Sequence, residues 1–120
     1  MLLSLPTLLA ISAGLLLTTP ARATTPDCTG VERWATSVAF GELKSARFTD
    51  NERLDFTKTK TTRLASEKIG KDLYRQVHHV VFTEKTGNKI VVITVNDASS
   101  EECSMSGVQV FVVSRELGRR

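Results

Sequence analysis

The sequence contains no proline from residue 27 to residue 120. Proline breaks a helix interior and removes a ladder hydrogen bond from a sheet, so its absence agrees with long regular elements. Metal-ligating spacings of the His-Glu-x-x-His or Cys-x-x-Cys kind are missing. A Gly-rich phosphate loop and a Gly-x-Ser-x-Gly nucleophile elbow are missing too. No motif therefore calls for a metal or a cofactor. Neither sign of charge dominates: 16 Lys and Arg stand against 13 Asp and Glu, mixed along the chain. So close a balance is no nucleic-acid signature. The one basic cluster, Arg115, Arg119 and Arg120, reads as a solvated tail. There is no internal repeat, and no low-complexity stretch beyond a threonine cluster. With 41% hydrophobic and 24% charged residues, the composition indicates neither disorder nor a coiled coil.

The long apolar stretch that is present lies at the start. Residues 2–17 are apolar apart from Ser4, Pro6, Thr7, Ser12 and Gly14, and Ala21-Arg22-Ala23 follows. This pattern reads as a signal peptide over 1–23, cleaved after Ala23, although no Lys or Arg precedes the apolar run. Pro6 and Pro20 frame a run shorter than the roughly 20 residues of a spanning helix, so no stable membrane anchor is expected after cleavage. Removing 1–23 takes away Arg22 alone among charged residues, leaving 15 basic and 13 acidic side chains. The expected product is a single soluble domain over 24–120, exported to a periplasmic or extracellular compartment.

Two cysteines remain, Cys28 and Cys103. In an oxidising compartment they allow one intramolecular pairing, a disulfide across most of the domain. The competing reading is a reactive thiol, or a copper site built from Cys103, Met105 and a histidine.

Thr29-Gly30-Val31-Glu32 fits a capping box, with the Thr29 hydroxyl on a helical N–H and Glu32 reaching back. Val31, Trp34, Ala35, Val38, Ala39, Leu43 and Ala46 share half a helical wheel, which predicts a helix over 30–46. Phe40 falls opposite, and Glu42 falls among the apolar positions. From Leu54 the period changes, and threonines at 57, 59, 61 and 62 favour extended chain. A lysine-bearing edge strand is expected from 54 to about 69, although 64–68 has helical character too. Further strands are expected over 73–83, 89–95 and 108–114, with a tight hairpin at 84–88.

One helix followed by four strands with short connections implies an α+β fold: an N-terminal helix packed on a four-stranded antiparallel meander, in two layers. In a meander the first and third turns lie at one end. A Cys28–Cys103 bridge would bring the helix start to that end as well. This order of elements resembles the cystatin-like architecture in shape. The cystatin hairpin pattern Gln-x-Val-x-Gly is not matched, because Ser66-Glu67-Lys68-Ile69-Gly70 shares its glycine alone. A resemblance of shape does not carry function.

His78 and His79 are candidate bases or ligands, but strand neighbours point to opposite faces and cannot readily share one metal ion. Asp97, Ser99, Ser100, Glu101 and Glu102 crowd one loop and read as turn formers. Strands three and four are apolar on both faces, and one helix can cover one face only. The other face then calls for a partner or a second copy. The leading reading is a small exported binding or inhibitory module that acts by protein–protein contact. Its contacts are placed on the loop end, with Ile69 and Met105 as apolar anchors and Gly70 allowing close approach. The partner is an unidentified protein or the chain itself, as a homodimer. Two alternatives stand beside this reading. One is a small secreted hydrolase using a histidine and Asp97. The other is an envelope subunit that self-associates through its sheet.

Overall fold

The computed structural model describes residues 14–16 and 25–113. Most of the expected signal peptide and the arginines at 115, 119 and 120 lie outside the described residues. One helix, α1 (Trp34–Ser45), packs on a four-stranded antiparallel sheet. The strands are β1 (Lys60–Gly70), β2 (Leu73–Thr83), β3 (Lys89–Ala98) and β4 (Gln109–Val112), in the order β1-β2-β3-β4. This is the expected α+β two-layer meander.

β4 is shorter than the expected 108–114, and the boundaries differ further at three places. The helix begins at Trp34 rather than Gly30, and its N-cap, Arg33, makes no side-chain cap bond. The capping box does not form because Thr29 is already engaged. Its N–H and hydroxyl both donate to the Asp27 carboxylate, at 3.1 and 2.6 Å. This local turn competes with helix initiation. A second carboxylate delays β1. Asp55 accepts from the N–H and hydroxyl of Thr57, closing a 3-10 turn over Phe56–Lys58, so β1 starts at Lys60 rather than Leu54. Residues 64–68 are strand, with register shifts on either side. β3 runs on to Ala98, past the expected end at 95, because Asn96, Asp97 and Ala98 pair with Gln76, Arg75 and Tyr74.

Alternation then decides the two faces. Ala39 and Leu43 of α1 close on Val80 and Phe82 of β2, Ile90 and Val92 of β3, and Leu54. Phe40 does not point away from this core. It stands edge-on to Phe56 with ring centroids 4.7 Å apart, and lies 6.2 Å from Phe82. The connection from α1 to β1 is clamped beside the β2–β3 hairpin. Glu84, 3% exposed, accepts from Thr49, Arg53 and Asn88. Those donors hold its carboxyl below the ordinary range, the Asn88 bond contributing most, against the opposing effect of burial. In the hairpin Gly87 sits at φ +93°, a conformation that suits glycine.

Candidate functional site

Three loops gather at one end of the sheet, and covalent and hydrogen bonds tie them together. Cys28 and Cys103 form a disulfide. No free cysteine remains among the described residues, so neither the reactive thiol nor the copper site is present. The Asp72 carboxylate accepts from the N–H and hydroxyl of Ser100, at 3.0 and 2.8 Å, joining the first turn to the third. Trp34 Nε1 donates to the Ser106 carbonyl, and Asn96 Nδ2 donates to the Cys103 carbonyl, both at 2.9 Å. Ile69 and Met105 sit on this end, 39% and 46% exposed. Gly70 ends β1. A β-carbon there would meet Leu73 at 3.5 Å, an ordinary contact, so no close approach depends on glycine at this position. The positive φ of the turn falls on Asp72.

The histidines part as strand geometry requires. His78 faces α1 and is fully buried, while His79 lies half-buried on the opposite face. Asp97 is bound by Arg75 Nε at 3.1 Å. It lies four residues along β3 from Ile93, the partner of His79, or about 13 Å. The histidine–Asp97 pair of the hydrolase reading is therefore not assembled. Glu42 is exposed beside a groove and makes no ion pair with Arg63. Arg63 instead donates to the Pro26 carbonyl at 3.0 Å. No group of three or more His, Cys, Asp or Glu among the described residues could hold a metal ion.

Beneath the start of α1 the inner face turns polar, a feature that the sequence reading missed. Gln76 and Asn96 are paired across β2 and β3, as are His78 and Thr94, and all four are buried. Gln76 Nε2 donates to Pro26 and Ser66. Gln76 Oε1, both ring nitrogens of His78, Thr94 Oγ1 and Asn96 Oδ1 find no protein partner among the described residues. The even-numbered polar positions 76, 78, 94 and 96, continuous with core positions 80, 82, 90 and 92, are the signal that could have shown this layer.

This layer gives the fold a pH dependence. Burial lowers the affinity of His78 for a proton, the Arg63 charge acts the same way, and Asp27 opposes both. The folded form therefore titrates below the ordinary value of 6.5. The unfolded chain takes up the proton first, so the stabilisation is complete above that value and fades as the pH falls below it. Asp27, Asp55 and Glu84 are all shifted downward, so their contributions fade only under more acidic conditions. We expect the wild-type melting temperature to drop on acidification from neutral pH to about 5. His78→Leu should flatten that slope. Parallel profiles for the two proteins would contradict the assignment.

The outward face of the sheet carries no second layer among the described residues. Val77 stands opposite Val95, His79 opposite Ile93, and Val81 opposite Val91, all half-buried. Phe111 continues the Ile93 row at 53% exposure, and Val113 is 46% exposed. At the hairpin end this face is bordered by Lys60 and Lys89. On its inner side, β4 borders a groove of about 350 Å3 lined by Glu42, Leu43, Ala46 and Phe48 on one side and Val108, Val110 and Val112 on the other.

No family model, curated protein or solved structure matches this chain, and the cystatin-like shape rests on the order of elements alone.

Proposed function

We propose that the protein is a small exported binding module that acts by protein–protein contact and not by catalysis. The observation that carries this reading is the apolar face built from Val77, Val81, Val91, Ile93, Val95 and Phe111, which no element among the described residues covers. A row of apolar side chains on a rigid sheet marks an interaction surface. The lysines at its border, Lys60 and Lys89, favour a protein partner whose apolar patch is flanked by carboxylates. The disulfide suits an oxidising compartment, which supports export. The tied loop end, with Ile69 and Met105 exposed, offers a second contact area of the inhibitor-like kind.

The test is affinity capture from the native envelope or medium, comparing the wild type with Ile93→Glu and with an Ile69→Asp/Met105→Asp double variant. We expect one acidic-flanked partner to be held by the wild type and lost by Ile93→Glu, with the melting temperature little changed. That capture should weaken in high salt. Loss with the double variant alone would move the contact to the loop end. Equal capture by all three proteins would overturn the reading.

A further inference from the structure

The two edges of the sheet are built differently. The β1 edge carries Lys60 and Lys68, and its register shifts between Arg63 and Ala65 and again between Lys68 and Gly70. Charge and irregularity of this kind discourage pairing with another strand. The β4 edge has neither. From Val108 to Val113 the sequence is Val-Gln-Val-Phe-Val-Val, without a charge, and its pairing with β3 is regular. The Val113 N–H bonds to the Val91 carbonyl at 2.8 Å, so odd-numbered residues of β4 turn their backbone groups to β3. Backbone groups alternate along a strand, so the N–H and C=O of Val110 and Val112 face the edge that no strand among the described residues pairs with. Such a row is a template for one more strand.

The space beside that edge says what kind of strand fits. The groove between α1 and β4 is lined by Leu43, Ala46 and Phe48 facing Val108, Val110 and Val112, with Glu42 on the α1 side. A second hollow of about 320 Å3 adjoins it and shares Phe48 and Val112. An added strand would place alternate side chains against these walls and the others beside Phe111 on the outward face. It must therefore be apolar on both sides. From Val110 to Val113, β4 itself has that pattern, with Val110 and Val112 inward and Phe111 and Val113 outward; Gln109 precedes them on the outward side.

We propose that two copies of the chain pair antiparallel through their β4 edges. The groove of each copy then receives Val110 and Val112 of the other. One two-fold axis satisfies both grooves and both sets of backbone groups, and such an isologous contact closes. No like charges meet along the paired segment. The guarded β1 edges end the growth, giving one eight-stranded sheet from two four-stranded ones. α1 packs against β3, so the two helices would lie three strand spacings apart, about 14 Å. This exceeds the 8–10 Å of direct helix packing. Phe48 and the inward valines of both copies occupy that interval. The outward apolar faces join into one surface. The proposal stands on the edge and not on the partner-binding face.

Sedimentation equilibrium of the processed, disulfide-bonded protein at micromolar concentration tests it, together with Val112→Pro and Val112→Lys. Proline at an edge position whose N–H faces outward leaves the β3 ladder intact and blocks the second one. The expected result is a dimer for the wild type and monomers for both variants. The Val110 and Val112 amides should also gain protection from hydrogen exchange as concentration rises. If Val112→Pro does not fold, Val112→Lys decides. A monomeric wild type overturns the proposal. A dimer that survives both substitutions overturns it too. If such a dimer is lost with Ile93→Glu, self-contact belongs to the sheet face, and the face reading above survives alone.

Discussion

Loss of the Cys28–Cys103 bridge is expected to destabilise the fold by about 4 kcal/mol on the chain-entropy model, given its sequence separation of 75. Small domains have a net stability of roughly 5–15 kcal/mol, so the reduced protein should be marginal at physiological temperature. The bridge also fixes local structure. It holds the segment around Pro26, whose carbonyl accepts from both Arg63 and Gln76. Releasing Cys28 removes this cover from the polar layer of Gln76 and His78. Amides of β2 near Gln76 should therefore exchange faster in the reduced protein than those near Phe82. Cys28 is fully buried, so the paired substitution should be to alanine, because a buried serine hydroxyl would add its own cost. Urea midpoints of the oxidised, reduced and Cys28→Ala/Cys103→Ala proteins provide the measurement. A difference under about 1 kcal/mol would show that the bridge adds little to the packed core.

Phe82→Ala should cost about 3–5 kcal/mol, because truncating a buried ring loses its transfer free energy and leaves a cavity. Phe82 is 1% exposed, meets Phe40, and belongs to the cluster with Leu43, Leu54, Val80 and Val92. Collapse around the hole is limited because α1 and the sheet enclose it. Phe111→Ala is the control. That ring lies on the outward face at 53% exposure, and its loss from the monomer should fall within about 0.5 kcal/mol. The contrast separates the core face from the contact face by one substitution on each. Equal losses at the two positions would mean that the outward face is covered in the free monomer.

The two phenylalanines also show where sequence pattern informs and where it stops. The turn residues around Gly70 and over 84–88 delimited β2 with its observed bounds, and the apolar run that follows the hairpin identified most of β3. Both signals are local, because turn formers and apolar runs are written in consecutive residues. The disulfide was legible for a similar reason, as two cysteines admit one pairing. The contact residues were less legible. Ile69 and Met105 stood out as apolar residues in polar turns. Val110 and Val112 belong to a strand that is apolar on both faces, and only its place at the end of the described sheet sets them beside an edge and a groove.

Sequence by itself determined the class of the fold, the number and order of its strands, the staple, and the two-sided apolar character of the sheet. Each follows from residue type and spacing along the chain. Tertiary structure decided the rest. The placement of α1 against β3 selected which apolar face became core and which stayed open. The segment around Pro26, held by the disulfide, helps to cover Gln76 in the layer that it shares with His78, Thr94 and Asn96, all buried. Periodicity reports which residues share a face, but which face is covered depends on where a distant element comes to rest.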